Sequence, residues 1–159
     1  MKRLLPFPLL FLLSCDGGTQ RDETWLHGDT EARLAAVAKQ LRGFDVTMVE
    51  VGYRYGELYW AGEDQNWPYA AYQIEKIRTA VALGLERRPK RAASAAVLES
   101  ALAPLAGAVE KRDTAEFTAR FAQLTATCNA CHHAEAVPFM RVVTPTERRS
   151  SIRTPEGAR

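Results

Sequence analysis

Residues 117–133 read FTARFAQLTATCNACHH and carry two overlapping patterns. Apolar and thiol side chains recur at spacings of four, three, four and three residues, at Phe117, Phe121, Leu124, Cys128 and Cys131. This period places them along one face of an α-helix, the face that packs into a core. The sequence therefore predicts a helix whose apolar stripe leads directly to two cysteines.

The same stretch ends in a Cys-x-x-Cys-His motif, formed by Cys128, Cys131 and His132. Two thiols at this spacing can add across the two vinyl groups of a porphyrin, while the adjacent imidazole binds the iron. Residues three and four apart share a helix face, so the three side chains meet on one small surface. We therefore expect one covalent haem c, attached through both cysteines, with His132 as the proximal iron ligand.

Two other interpretations of these cysteines stay open. A disulfide between Cys128 and Cys131 would suit an oxidising compartment, although redox Cys-x-x-Cys motifs accompany a βαβ pattern, which the sequence lacks. A zinc ion would use both cysteines with His132 or His133, although structural zinc sites usually draw their ligands from two separated pairs.

Residues 1–15 predict an export signal. Lys2 and Arg3 form a positive n-region, and residues 4–13 form an apolar h-region that is too short to span a bilayer. The closing Leu-Leu-Ser-Cys, which ends at Cys15, resembles the lipobox of bacterial lipoproteins. The resemblance implies that Cys15 becomes the lipid-modified first residue after cleavage.

A lipid on Cys15 would hold the chain at the periplasmic side of a bacterial membrane without a spanning helix. In lipoproteins of some enteric bacteria an aspartate directly after the lipid-modified cysteine favours the inner membrane, and Asp16 occupies this position. The alternative is an ordinary secretory signal, cleaved nearby, that leaves the protein unanchored. With one cysteine for lipid and two for haem, all 3 cysteines have a role.

Charge limits the classes of partner. The chain has 21 Lys and Arg against 19 Asp and Glu, and loss of Lys2 and Arg3 with the signal leaves 19 against 19. A near-neutral domain without a basic stretch is not expected to bind nucleic acid.

Composition divides the remaining chain into three parts. Residues 16–28 are expected to be a flexible tether, because they are polar and contain Gly17 and Gly18. Residues 29–143 are expected to form one haem-binding domain. Residues 144–159 are rich in Ser, Thr, Pro and Arg, so we expect a disordered tail.

Periodicity and capping residues predict four helices in the domain. Their connections are short and no alternating strand-like segment appears, so neighbouring helices should be antiparallel. We expect an all-α fold, an antiparallel up-down-up-down four-helix bundle. The predicted segments are residues 30–61, a second segment that begins at an Asn66 cap and stops at Pro89, residues 91–111, and a last segment that begins at an Asp113 cap.

Four helices with a Cys-x-x-Cys-His motif late on the last one resemble the cytochrome c′ family, the class II c-type cytochromes. The specific part of this resemblance is Cys128 to His132. It implies a haem inside the bundle and a distal group from the first helix. In that family the distal group is a methionine in low-spin members and an apolar side chain in five-coordinate members. The resemblance also allows a homodimer.

Met48 is the candidate distal ligand. Helix register puts it about 6 Å along the axis from the level of His132, at 1.5 Å per residue. A thioether would raise the reduction potential and suit electron transfer. Alternatively, Met48 fills space in the core. The inward stripe of the first predicted segment comprises Leu34, Val37, Leu41, Phe44, Met48, Val51, Tyr55 and Leu58.

The sequence thus predicts a membrane-anchored monohaem electron carrier that exchanges electrons with redox partner proteins. It contains no catalytic constellation, so we do not expect an enzyme. The first alternative is a five-coordinate haem protein that binds nitric oxide or another diatomic gas. The second alternative is a helical lipoprotein without haem, with zinc or a disulfide at the Cys-x-x-Cys.

Overall fold

A computed structural model describes residues 25–155, and these residues form helices, turns and irregular segments without any strand. The fold is therefore all-α, as predicted. The predicted signal peptide and most of the predicted tether lie outside the described residues. The helices are α1 (Thr30–Gln40), α2 (Phe44–Glu63), α3 (Trp67–Arg87), α4 (Ala92–Ala95), α5 (Val97–Lys111) and α6 (Thr114–Ala134).

The prediction of one continuous helix over residues 30–61 is wrong. The chain leaves the helix after Gln40 and resumes at Phe44, with Gly43 in extended conformation as the N-cap of α2. Glycine lowers helix stability by about 1 kcal/mol relative to alanine, which favours a break there. No residue of α1 is buried. The first three positions of the predicted stripe are accordingly exposed, namely Leu34, Val37 and Leu41.

The chain divides into two compact units, and the boundary falls between Gln40 and Leu41. Helix α1 belongs to the first unit, and all later helices belong to the second. The domain predicted from the sequence began at residue 29, whereas the second unit begins at Leu41.

Two predicted caps are confirmed. The side chain of Asn66 accepts a hydrogen bond from the backbone N–H of Tyr69 at 3.3 Å and starts α3. The side chain of Asp113 accepts one from the backbone N–H of Glu116 at 2.9 Å and starts α6. Each cap satisfies a backbone donor that has no partner inside its helix.

The third predicted segment is broken near its start. A short 3₁₀ turn (Pro89–Arg91) leads into α4, and the chain bends by 54° before α5. Among residues 25–155 no single helix is long and apolar enough to cross a membrane; the bent pair Pro89–Ala95 and Val97–Lys111 meets these criteria only when both parts are taken together.

Four helices build one apolar core. Helix α2 packs against α3 and α6, and α5 packs against the same two helices. Phe121 lies at the centre of an aromatic group, with its ring centroid 4.7 Å from that of Tyr55 and 5.9 Å from that of Phe117. The largest fully buried apolar side chains are Leu58, Ile74, Ile77, Leu102, Leu105, Phe117, Phe121 and Leu124.

Within the predicted disordered tail, the described residues 144–155 make defined contacts with the domain. Arg148 donates two hydrogen bonds to the carboxylate of Asp64, at 2.6 and 2.7 Å, and its guanidinium lies 4.8 Å from the ring centroid of Trp60. Ser150 donates a hydrogen bond to the buried carboxylate of Glu57 at 3.0 Å. Composition did not reveal this, because the partners lie on α2 or directly after it, more than 80 residues away in the chain.

Asp64→Asn is expected to release this tail and to lower the free energy of unfolding by about 1 kcal/mol, as expected for a bidentate ion pair that is largely shielded from water. Hydrogen bonds from Arg148 lower the pKa of Asp64. The pair therefore stabilises the fold above the unfolded pKa of about 3.9 and loses its effect as pH falls through the lower folded value. Amide exchange at residues 148–154 measures the release of the tail, and denaturant unfolding at several pH values measures the change in the free energy of unfolding.

Asp45→Asn is the matched control, because the pair between Asp45 and Arg42 has side chains that are 61% and 71% exposed. The control should leave tail exchange and stability unchanged. Equal exchange rates in the Asp64→Asn variant and the unchanged protein would contradict the role of Asp64.

Candidate haem attachment site

Helix α6 brings the cysteines from the core to a cleft. Phe117, Phe121 and Leu124 are buried, and the next positions of the same stripe, Cys128 and Cys131, are half-buried free thiols. Cys128 also packs against the apolar core. The stripe read from the sequence thus continues from the core into the wall of the cleft.

The cleft lies between α2, α6 and the start of α5, and we call it the α6 cleft. Its walls carry no Asp, Glu, Lys or Arg side chain. Its cavity measures about 120 Å³ and is open to solvent. The lining residues are Phe44, Met48, Val51, Gly52, Tyr55, Val81, Ala95, Val97, Leu98, Thr127, Cys128, Cys131, His132 and Val142.

The α6 cleft therefore brings together the residues that the sequence singled out for haem. Cys128, Cys131 and His132 come from α6, and Met48 comes from α2. Two thiols, an imidazole and a thioether around an uncharged cavity are a donor set that fits a covalent haem. When bound, such a group supplies one-electron redox chemistry.

The imidazole of His132 is held by the backbone. Its Nδ1 lies 2.5 Å from the carbonyl oxygen of Met140. A carbonyl can only accept a hydrogen bond, so Nδ1 is the donor, and in the neutral form of this imidazole the lone pair lies on Nε2. Histidines that bind metals usually donate their other ring N–H to a carboxylate, carbonyl or water in this way. The tautomer that an iron ligand needs is thus already selected.

The thiol of Cys128 lies in an apolar environment. Burial, with a smaller effect of Cys131, raises its pKa to about 11. Tyr55 lies nearby, where its hydroxyl is 2.7 Å from the hydroxyl of Thr125, and burial likewise raises the pKa of this tyrosine. The packed Cys128 is therefore a protonated thiol at neutral pH and a poor nucleophile.

The corner before α5 contacts the C-terminal end of α6. Glu135, which caps the C-terminus of α6, pairs with Arg91 and with the hydroxyl of Ser94. These contacts hold α4 against the end of α6, close to His132. Sequence patterns did not reveal Glu135, because its partners lie on a separate corner of the chain.

The side chains of Met140 and His133 do not line the α6 cleft. The side chain of Met140 is 54% exposed, and His27 and His133 are exposed. Cys15 lies outside residues 25–155. Within that range, no group of three or more His, Cys, Asp and Glu side chains is arranged to hold a bare metal ion.

No protein-family model matches this chain, and no curated protein and no solved structure was found to be similar to it. The interpretation of its function therefore depends on the residues of the α6 cleft. The resemblance seen in the sequence likewise depends on Cys128 to His132.

Proposed function

We propose that this protein is a monohaem c-type cytochrome that transfers electrons outside the cytoplasm. In this proposal α2, α3, α5 and α6 form an antiparallel up-down-up-down four-helix bundle of the cytochrome c′ kind. The mutual packing of these helices around one core and the short connections between α2 and α3 and between α5 and α6 support this arrangement.

One observation carries the proposal. Cys128, Cys131 and His132 line the same uncharged cleft, and the Nδ1 of His132 is occupied by the carbonyl of Met140. The two thiols would form the thioether bonds, and Nε2 of His132 would bind the iron. A disulfide or a zinc ion would not need an apolar cleft of this composition.

Met48 supports electron transfer as the function. It lies in the wall of the α6 cleft, and its thioether would complete a six-coordinate iron. A sixth protein ligand leaves no open position for a substrate, and it favours the reduced iron. The chain's part is then to bind and orient the haem and to exclude water, and we propose no substrate chemistry.

Gas binding is the second candidate. Phe44 and Val51 lie about one helical turn from Met48 on α2, and both line the α6 cleft. If Met48 only fills space, these side chains would leave an apolar distal face that suits nitric oxide or another diatomic gas. Carbon monoxide added to the reduced protein separates the two functions, since only an open sixth position changes its spectrum.

We also propose an anchor. Lipid on Cys15 would place the protein on the periplasmic side of a bacterial membrane, with Asp16 in favour of the inner membrane, where it would meet redox partner proteins. A homodimer is compatible with this arrangement. Replacing residues 1–15 by an ordinary cleavable secretory signal without a lipobox cysteine should move the protein from the membrane fraction to the soluble fraction.

Haem staining of a denaturing gel tests the proposed haem, because only covalently attached haem remains on the chain. The protein from a host with a c-type maturation system should stain, and the double variant Cys128→Ala, Cys131→Ala should not. An unstained band for the unchanged protein would favour the alternative with zinc or a disulfide.

A further inference from the structure

The chain after α6 returns along this helix as a short segment, residues 137–142, which we call the return segment. The N–H of Val137 donates to the carbonyl of His132 at 2.9 Å, and the N–H of Met140 donates to the carbonyl of Val137 at 3.0 Å. The first half of the return segment is therefore tied to the end of α6. Its carbonyl at Met140 is the group that holds His132.

The second half of the return segment is held by Asn129. The Oδ1 of Asn129 accepts a hydrogen bond from the N–H of Val142 at 2.8 Å. Its Nδ2 donates to the carbonyl of Val142 at 2.9 Å and to the carbonyl of Thr125 at 3.0 Å. A single side-chain amide thus pairs with both backbone groups of Val142, two residues beyond the carbonyl that contacts His132.

Asn129 occupies a position that haem attachment leaves free, since it is the first residue between the two cysteines of the motif. Asparagine is also a weak helix former, so helix stability does not favour it there. Its amide offers one acceptor and two donors, and all three find partners among backbone groups. Neither alanine, which has no polar group, nor aspartate, which only accepts, can make the same set.

The geometry points to Asn129 as the positioning residue for the proximal ligand: by clamping Val142 it fixes the Met140 carbonyl against Nδ1 of His132. This inference rests on the proposed haem. A hydrogen bond from Nδ1 to a carbonyl makes the imidazole a stronger electron donor and so favours oxidised iron. Loss of the clamp weakens that hydrogen bond and favours reduced iron.

Asn129→Ala is therefore expected to raise the midpoint potential. Mutation of the outer partners of metal ligands typically lowers metal affinity or activity by about 10- to 100-fold, and we expect about a tenfold change in the redox equilibrium here. At a fixed applied potential, a tenfold rise in the ratio of reduced to oxidised protein corresponds to a midpoint potential that is higher by about 59 mV for one electron. Asn129→Leu keeps a side chain of similar size, offers no hydrogen-bonding group and adds no charge, so a rise in the same direction is expected. This second variant tests the inference if Asn129→Ala accumulates poorly.

Ala130→Asn is the matched control, because Ala130 is the other residue between the cysteines and is exposed. It should leave the potential unchanged. Amide exchange at Val142 reports the clamp itself in the same samples, and should be faster in both Asn129 variants than in the control.

The outcomes separate this inference from the proposed function. If the unchanged protein carries no haem, the proposed function fails and the inference fails with it. If haem is present and both Asn129 variants keep the potential of the control, the inference alone fails, even where exchange at Val142 increases. A raised potential together with faster exchange at Val142 supports it.

Discussion

Replacing Met48 by alanine is expected to convert a six-coordinate, low-spin haem protein into a five-coordinate, high-spin one that binds carbon monoxide. Met48 lines the α6 cleft from α2, while the cysteines and His132 line it from α6. Alanine is too short to reach the iron and has no sulfur to donate. Absorption spectra of the reduced variant, with and without carbon monoxide, measure the change.

Met140→Ala is the control for this experiment. The side chain of Met140 is 54% exposed, and the contact with His132 uses only the backbone carbonyl, which alanine retains. Its spectrum should match that of the unchanged protein. If Met48→Ala also leaves the spectrum unchanged, Met48 is not an iron ligand. A high-spin spectrum already present before substitution would favour gas binding.

Replacing Gly62 by alanine is expected to lower the free energy of unfolding by about 2 kcal/mol. Gly62 is buried near the end of α2, where a Cβ would overlap the ring of Phe117. Phe117 is 1% exposed and belongs to the central aromatic group, so its ring cannot move without disturbing Phe121. This overlap outweighs the gain of about 1 kcal/mol that alanine normally gives inside a helix. Denaturant unfolding measures the difference.

Gly56→Ala on the same helix is the matched control. No atom outside the local helix lies within 4 Å of a Cβ at Gly56, so only the helix propensity changes. Stability should stay equal or rise by up to about 1 kcal/mol. Equal effects of the two substitutions would contradict the close approach of α2 and α6 at Gly62.

Local signals in the sequence predicted much of the fold. Asn66 and Asp113 were found because an N-cap contacts a backbone N–H only three residues away. The break before α2 was not predicted, because the apolar spacing continues across it. Apolar side chains keep their spacing of three and four across residues 41–43, and periodicity does not require that the backbone between them be helical. Gly43 was the one local sign of the break.

The candidate site was predictable where it depends on side chains in a fixed register. Helical spacing brought Cys128, Cys131 and His132 together, and helix register put Met48 near their level. The contact of the Met140 carbonyl with His132 and the hydrogen bonds of Asn129 to Val142 were not predictable. Each depends on the path of the backbone after α6. The pairing of Arg148 with Asp64 was missed because side-chain composition says nothing of distant partners.

The central claim is a covalent haem on Cys128 and Cys131, and the intact mass of the protein tests it most directly. The protein should be purified from a bacterial host with a c-type maturation system. The proposal predicts coloured protein with the mass of the polypeptide plus one haem, and plus lipid if Cys15 is modified. Colourless protein with the mass of the polypeptide, with or without lipid, would contradict it.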